Sequence, residues 1–319
     1  MTDQLKKERM YSEEDLKKAF QDGQDNMDYS ERSINVVSLF NGMGTLRQAF
    51  HNLGIKVNNY YSSEIKTYAI KLQQHHFPDV IQVGDIRNWR EWDINWSSID
   101  FIGSGSPCQD LSSSGKRGGI NGEKSSLFFT FVDIYNHCKS LNPNVKFLQE
   151  NVGSANKLDV GIMSRALGVY PVRINSRLLT AQLRDRYYWT NIKTKETMFD
   201  VVSDIPQPKD LKIKLQDIIL SGQVTKEKSN ALIQRYIGAC PKSDIALQKF
   251  LRNRVDFGSY CEIIENDKLR VFSKLEMCRL QGFPDDYCDI LSEEEAGSLL
   301  GDGWTLPMIE HILSFYSVP

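Results

Sequence analysis

Short apolar runs of strand length alternate along this chain with segments whose apolar positions recur every three or four residues. Ile34 to Phe40 is apolar and β-branched almost throughout, the composition of a strand covered on both faces. It leads into Phe40-Asn41-Gly42-Met43-Gly44-Thr45, then into a helical pattern from Leu46 to Leu53 that Gly54 closes. Val57 to Ser62 predicts a second strand ending at Glu64, and Thr67 to His75 a helix. Val80 to Val83 is a short third strand reaching Gly84-Asp85-Ile86, and Ile99 to Ile102 ends a fourth. A helix over Leu127 to Cys138, a strand over Val145 to Leu148, and a further helix and strand (Tyr170 to Leu178) follow. Tyr187-Tyr188-Trp189 reads as one more core strand. This rhythm predicts an α/β fold built on a doubly wound, mostly parallel sheet.

Two regions break the rhythm. Ser12-Glu13-Glu14-Asp15 resembles a capping box, with Leu16, Ala19 and Phe20 behind it at helical spacing, so residues 1–33 read as a helical appendage. Residues 193–262 are punctuated by Pro206, Pro208 and Pro241 and show no strand–helix alternation, which predicts a small insert. Order resumes over 263–319, where Glu276 to Gln281 lie on a helix stopped by Gly282 and Pro284, and a closing helix follows Gly301-Asp302-Gly303-Trp304-Thr305-Leu306-Pro307. The main domain is accordingly expected over 34–192, with 263–319 returning to it.

Charge adds one distinction. The net charge of −2 excludes a chain that is basic all over, yet residues 193–254 carry twelve basic and seven acidic side chains, suiting an anionic partner. The N-terminus is charged from Asp3 to Arg9 with no apolar stretch behind it, so no secretory signal is expected, and no apolar run is long enough for a membrane span. The six cysteines form no CxxC pair and share no metal-ligand spacing with the five histidines. Reduced thiols in a cytoplasmic type of compartment, and no metal, follow from that spacing.

The candidate chemistry sits where strands end. Phe101-Ile-Gly-Ser-Gly-Ser-Pro-Cys108 breaks from a strand into a Gly/Ser loop, and Pro107 stiffens the chain where Cys108 emerges. Open α/β sheets bind ligands at that end. Gln149-Glu150-Asn151-Val152 and Gln182-Leu183-Arg184-Asp185-Arg186 follow or border further strands. A thiol, a carboxyl and two guanidiniums together suit nucleophilic attack on a polar ring. The Gly42-x-Gly44 turn, with Glu64 ending the second strand and Asp85 the third, suits a nucleoside-containing cofactor. The same topology could hold NAD, but the third glycine of the dinucleotide fingerprint is missing, and Cys108, Glu150 and Arg186 have no common task in hydride transfer.

Phe40-x-Gly42-x-Gly44, Ser106-Pro107-Cys108-Gln109, Glu150-Asn151-Val152, Gln182-x-Arg184-x-Arg186 and Arg279-x-Gln281-Gly282-Phe283-Pro284 resemble, in order and spacing, the motifs of the cytosine-5 DNA methyltransferases. The resemblance covers Val36 to about Phe315, and the short insert and the Gly301 to Pro307 ending look more like the de novo type. Where the bacterial pattern has Gly-Asn-Ser-Val, this chain has Trp304 in the place of the usual asparagine.

The resemblance implies a Rossmann-like class I methyltransferase fold, S-adenosylmethionine as cofactor and duplex DNA as substrate. In it Cys108 would add to carbon 6 of a flipped cytosine, Glu150 would hold or protonate ring nitrogen 3, and Arg186, with Arg184 beside it, would neutralise charge at O2. Phe40 would stack on the cofactor within the turn formed by Asn41, Gly42, Met43, Gly44 and Thr45. Glu64 with Ile65 would bind its ribose, Asp85 with Ile86 its adenine, and Ser106, Pro107, Trp304 and Thr305 would complete the site. Asn151 and the 112–126 loop, through Ser112, Ser113, Lys116 and Arg117, would contact DNA, and 193–262 would be the target-recognition region. A dimer would extend the footprint of so short a recognition region. An RNA cytosine methyltransferase and a catalytically silent DNA-binding homologue are the alternatives. The compartment follows the source: nucleoid-associated in a bacterium or phage, nuclear in a eukaryote.

Overall fold

The computed structural model describes residues 12–20, 33–107, 127–233 and 263–318. The chain forms two compact units: a sheet unit of Asp22–Ile174, Asp185–Gln207 and Ile309–Pro319, and a second unit of Met1–Gln21, Asn175–Arg184 and Pro208–Met308.

The first described element, α1 (Glu13–Ala19), starts where Ser12 accepts the Asp15 backbone N–H, as the capping sequence predicts. It belongs to the second unit, where Leu16, Ala19 and Phe20 are buried.

In the sheet unit, β1 (Ser33–Leu39), α2 (Thr45–Asn52), β2 (Lys56–Ser63), α3 (Thr67–His76) and β3 (Ile81–Gln82) follow the expected order. Next come β4 (Phe101–Ser104), α4 (Leu127–Leu141), β5 (Lys146–Val152), α5 (Lys157–Leu167) and β6 (Val172–Asn175). After β7 (Gln182–Leu183) of the second unit, β8 (Asp185–Thr190) completes a seven-stranded sheet in the order β3-β2-β1-β4-β5-β8-β6. The first five of these strands pair in parallel, and β8 runs antiparallel to β5. Burial of Ile34, Val36, Val37 and Leu39 along β1 is what a strand covered on both faces requires. Phe131 and Tyr135 of α4 pack on Phe147 of β5, the Tyr135 and Phe147 rings 4.6 Å apart.

Two boundaries differ from the sequence reading. β5 extends past Leu148 to Val152, because Leu148 to Val152 pair residue by residue with Thr190 to Arg186 of β8. Glu150 and Asn151 therefore stand in the strand, not beyond it. The segment expected as a strand from Tyr170 to Leu178 is β only over Val172–Asn175. Asn175 then caps a 3₁₀ turn, Ser176–Leu178, by accepting the Arg177 N–H.

The division of the chain also differs. The hairpin β9 (Thr194–Glu196) and β10 (Val201–Ser203) falls in the sheet unit, since Ser203 exchanges hydrogen bonds with Thr190 and Tyr170. Most of 263–308, expected to return to the main domain, is in the second unit. There α6 (Leu215–Ile218), β11 (Gln223–Val224), β12 (Ser229–Asn230), β13 (Ile263–Glu265) and β14 (Lys268–Arg270) precede α7 (Lys274–Gln281) and α8 (Glu293–Asp302). β11, β13 and β14 form a small sheet, and β12 pairs with β7. α7 and α8 each begin with a Ser-x-x-Glu capping box, at Ser273 and Ser292. Gly282 ends α7 at φ +77°, where a Cβ would lie 2.3 Å from Pro307 Cδ, so only glycine fits. The closing helix is α9 (Leu306–Leu313).

Candidate active site

The turn between β1 and α2 is held in a fixed shape. Phe40 takes a left-handed φ of +54°, uncommon for a residue with a side chain, and Gly42 and Gly44 follow at +54° and +81°. Glu64, at the end of β2, clamps the turn. One carboxylate oxygen accepts the Gly42 N–H at 2.7 Å, and the other accepts those of Ile65 and Lys66 at 2.8 and 2.9 Å. Behind the turn lies a buried polar network. Asn41 accepts from Ser38 and Tyr60 and donates to Ser62, Ser62 donates to Gln73, and Gln73 donates to the Gly42 carbonyl at 2.6 Å. Met43 and Thr45 are buried at the start of α2.

This surface suits a nucleoside. Among the described residues, a Cβ on Gly42 would meet only the Phe40 carbonyl, at 3.9 Å, so the backbone is open to close approach. Ile65 presents an apolar side chain that is 67 % exposed beside Glu64. A carboxylate that accepts three bonds keeps acceptor capacity for hydroxyls. Asp85 caps the 3₁₀ turn after β3, and Ile86 is buried behind it. Its carboxyl is gripped by the Arg87 guanidinium, whose hydrogen bonds hold it below the usual carboxylate range.

Three neighbouring residues of β5, Gln149, Glu150 and Asn151, surround the second group of candidate residues. Side chains alternate along a strand, so Gln149 and Asn151 share one face and Glu150 takes the other. Glu150 stands opposite Tyr188 in the antiparallel ladder, and Arg186 is its diagonal neighbour on the same face. Their side chains meet, Arg186 Nε to Glu150 Oε1 at 2.7 Å, with about an eighth of each exposed. Gly153 lets the strands close here: its N–H donates to the Asp185 carbonyl, and a Cβ would lie 2.8 Å from Asp185. On the opposite face, Ser106 Oγ accepts Gln149 Nε2 at 2.9 Å and Asn151 Nδ2 at 3.4 Å. Asn151, expected to contact DNA, is 1 % exposed and bonds Ser106. Pro107 is the last described residue before Cys108. Cys108, Ser112, Ser113, Lys116 and Arg117 lie outside the described residues.

Arg184 is separated from Arg186 by more than sequence. It is 3 % exposed, and its guanidinium donates to the carbonyls of Leu232, Gly301 and Gly303 in the second unit. Gln182 bonds the Leu280 carbonyl and the Leu232 N–H, and Gln281 donates to the Leu300 carbonyl. Thr305, 1 % exposed, donates to Gln281 and accepts from Ser176. Its hydroxyl thus serves the interior of that unit, while Trp304 is partly exposed. Sequence reasoning missed the Asn41–Tyr60–Ser62–Gln73 network, whose members are up to 32 residues apart. It quoted Gln149 within the Gln149–Val152 stretch but gave it no role.

The sequence matches the family described as C-5 cytosine-specific DNA methylase over residues 34–315. It is 27 % identical over 304 residues to the Type II methyltransferase M1.ScrFI of Lactococcus lactis subsp. cremoris, covering 87 % of this chain and 76 % of the relative. It is 30 % identical over 172 residues to the Orphan methyltransferase M.Rho11sI of Bacillus phage rho11s, covering 50 % and 33 %. It is 28 % identical over 239 residues to the Type II methyltransferase M.NgoBV of Neisseria gonorrhoeae, covering 67 % and 52 %. The chain thus spans three quarters of the first relative and a third to a half of the other two. Among solved structures, the Entamoeba histolytica methyltransferase EhMeth superposes with a TM-score of 0.62 at 16 % identity, over 89 % of this chain and 98 % of that one. The S. pombe Dnmt2 methyltransferase gives 0.58 at 13 %, over 89 % and 98 %. Both share the fold found here, and the match over residues 34–315 places this chain in the C-5 cytosine-specific DNA methylase family.

Proposed function

We propose that this protein methylates carbon 5 of cytosine in DNA, using S-adenosylmethionine and a covalent intermediate on Cys108. The observation that carries the reading is the Glu150–Arg186 pair, held on one face of adjacent strands, while its β5 neighbours Gln149 and Asn151 bond Ser106, two residues before Cys108 in sequence. Carbon 5 of cytosine is a poor nucleophile. Addition of the Cys108 thiolate to carbon 6, with Glu150 at ring nitrogen 3, turns the ring into an enamine whose carbon 5 can attack an electrophilic methyl group; loss of the carbon-5 proton to a base then restores the 5,6 double bond and expels the thiolate. Arg186 stabilises the charge that develops at O2. A base stacked in duplex DNA must first be extruded, which costs a few kcal/mol.

S-adenosylmethionine supplies a methyl group on a cationic sulfur. Phe40, the Gly42–Gly44 turn, Glu64 with Ile65, and Asp85 are the residues that would hold it, and the open glycine backbone and exposed Ile65 support that fit. Lys116 and Arg117 would close on the DNA backbone, and the basic excess of 193–254 would face its phosphates.

The test is transfer of labelled methyl to duplex DNA, RNA and 5-fluorocytosine-containing duplex, with wild type beside Cys108→Ala. Label in DNA, an adduct on the fluorinated duplex, and loss of both in the variant are expected. Label in RNA alone would reassign the substrate. No transfer, with cofactor still bound, would leave a binding protein.

A further inference from the structure

We infer that Gln73 is a positioning residue for the cofactor, acting through the carbonyl of Gly42; the inference rests on the methyltransferase reading, which supplies S-adenosylmethionine as the ligand. Gln73 lies on α3, outside the segments that would touch the cofactor, and is 1 % exposed. The other buried residues of that helix, Ala69 and Leu72, are apolar. Gln73 brings polar bonds to the same interior. Its Nε2 donates to the Gly42 carbonyl at 2.6 Å, and its Oε1 accepts the Ser62 hydroxyl at 2.8 Å and Gln82 Nε2 at 2.9 Å.

The direction of each bond in this network follows from its last member. A backbone carbonyl only accepts, so the Gln73 amide must turn its nitrogen towards Gly42; the flipped amide would set two oxygens against each other. Its oxygen then faces Ser62 and Gln82, and both must donate. Ser62, its proton given to Gln73, accepts Asn41 Nδ2 at 3.0 Å. That leaves Asn41 Oδ1 to accept the hydroxyls of Ser38 and Tyr60, at 2.7 and 2.9 Å. Burial pushes the Tyr60 hydroxyl above its ordinary range, so it stays protonated and a donor. Ser38, Asn41, Tyr60, Ser62 and Gln73 are all buried, their donors point one way, and the series ends on Gly42.

Gly42 sits at a left-handed φ of +54°, and Glu64 already accepts its N–H at 2.7 Å. With its carbonyl held as well, the peptide planes on both sides of Gly42 are fixed. Gln82 belongs to β3, and Ser63 Oγ donates to the Gly84 carbonyl at 2.7 Å, so the ends of β1, β2 and β3 are tied together where the cofactor would rest. Loss of the Gln73 donor releases the plane between Gly42 and Met43. A turn that keeps the binding geometry about a tenth of the time raises the apparent Kd about tenfold. Gln73 acts on the turn and not on the reacting methyl group, so cofactor and demethylated product should be affected alike.

The experiment compares wild type, Gln73→Met and Gln82→Ala by two readouts. The first, independent of turnover, is the calorimetric Kd for S-adenosylmethionine and for S-adenosylhomocysteine. Gln73→Met is expected to raise both about tenfold and by the same factor. Gln82→Ala removes a bond to the same amide but leaves the Gly42 carbonyl held, so it should stay within about twofold of wild type. The second readout is steady-state methyl transfer at saturating DNA. Gln73→Met should raise the KM for S-adenosylmethionine about tenfold with kcat unchanged, the pattern of lost uniform binding. A side chain that served only to pack α3 would lower the urea midpoint and leave both Kd values where they were, and that result would overturn the inference. So would a fall in kcat with KM unchanged, or a Gln82→Ala effect as large as that of Gln73→Met. Should Gln73→Met fail to fold, Gln73→Glu decides at about pH 9, far above the ordinary carboxyl near ~4.3. Its carboxylate keeps both acceptor bonds and lacks the donor, so the same tenfold weakening is expected, and a Kd within about twofold of wild type would overturn the inference. If wild type binds neither ligand, the methyltransferase reading falls and this inference with it; normal binding by wild type and Gln73→Met alike removes the inference alone.

Discussion

Two ion pairs, one in each unit, differ in how their carboxylates are held. In the second unit Arg270 grips Glu276 with both terminal nitrogens at 2.8 Å, and the carboxylate also accepts the N–H groups of Leu220 and Ser273. Glu276 is fully buried, yet although burial pushes its carboxyl up, the Arg270 hydrogen bonds and the backbone donors bring it below its ordinary range. In the sheet unit Arg186 meets Glu150 through Nε, and both side chains keep about an eighth of their surface in reach of solvent. The first pair closes a capping box and ties a small sheet to α7. The second joins β5 to β8, two residues before β5 ends. On the proposed function, the full burial of the Glu276 carboxylate and the bidentate grip on it distinguish this structural pair from the chemical one at Glu150.

The comparison breaks if the two pairs respond alike. Glu150→Gln should lower methyl transfer by about 10²–10⁴-fold, with the urea unfolding midpoint close to wild type. Arg270→Met should do the reverse, costing about 3–5 kcal/mol of stability because Glu276 is left buried and unpaired, which the same urea titration reads. A smaller effect concerns α9. Burial pushes the His311 imidazole down to about 4, and its Nε2 lies 2.7 Å from the Pro206 carbonyl. The unfolded chain binds this proton more tightly, so stability is complete above about 6.5 and is lost as pH falls towards 4. The loss is at most about 3 kcal/mol, and His311→Gln should flatten that part of the pH–stability curve. Asp85→Asn should have the mildest consequence, weakening cofactor binding about tenfold by calorimetry, since the interaction there is partly exposed and shared with Arg87.

Much of the sheet was legible because its order is written in local periodicity: β1, α2, β2 and α3 each begin and end within two residues of the apolar pattern. The helix start at Ser12 was legible for the same reason, since a cap lies within one turn. What local pattern does not carry is pairing. The extension of β5 to Val152 depends on β8, which comes more than thirty residues later. Arg184 and Arg186 look equivalent in a motif, but β7 ends at Leu183 and β8 begins at Asp185, so the two side chains answer to different units. Glu64 was legible as an acid at a strand end, whereas its grip on Gly42 was not.

That grip has a thermodynamic consequence. A glycine turn normally carries more freedom than any other segment of a chain, and a ligand that must order it loses affinity for doing so. Here Glu64 and Gln73 fix both the amide and the carbonyl of Gly42, so the freedom is already lost on folding. Cofactor association should then show a modest entropic penalty and little change in heat capacity from the protein side, and the loosening of this turn by Gln73→Ala should appear chiefly as a more unfavourable binding entropy.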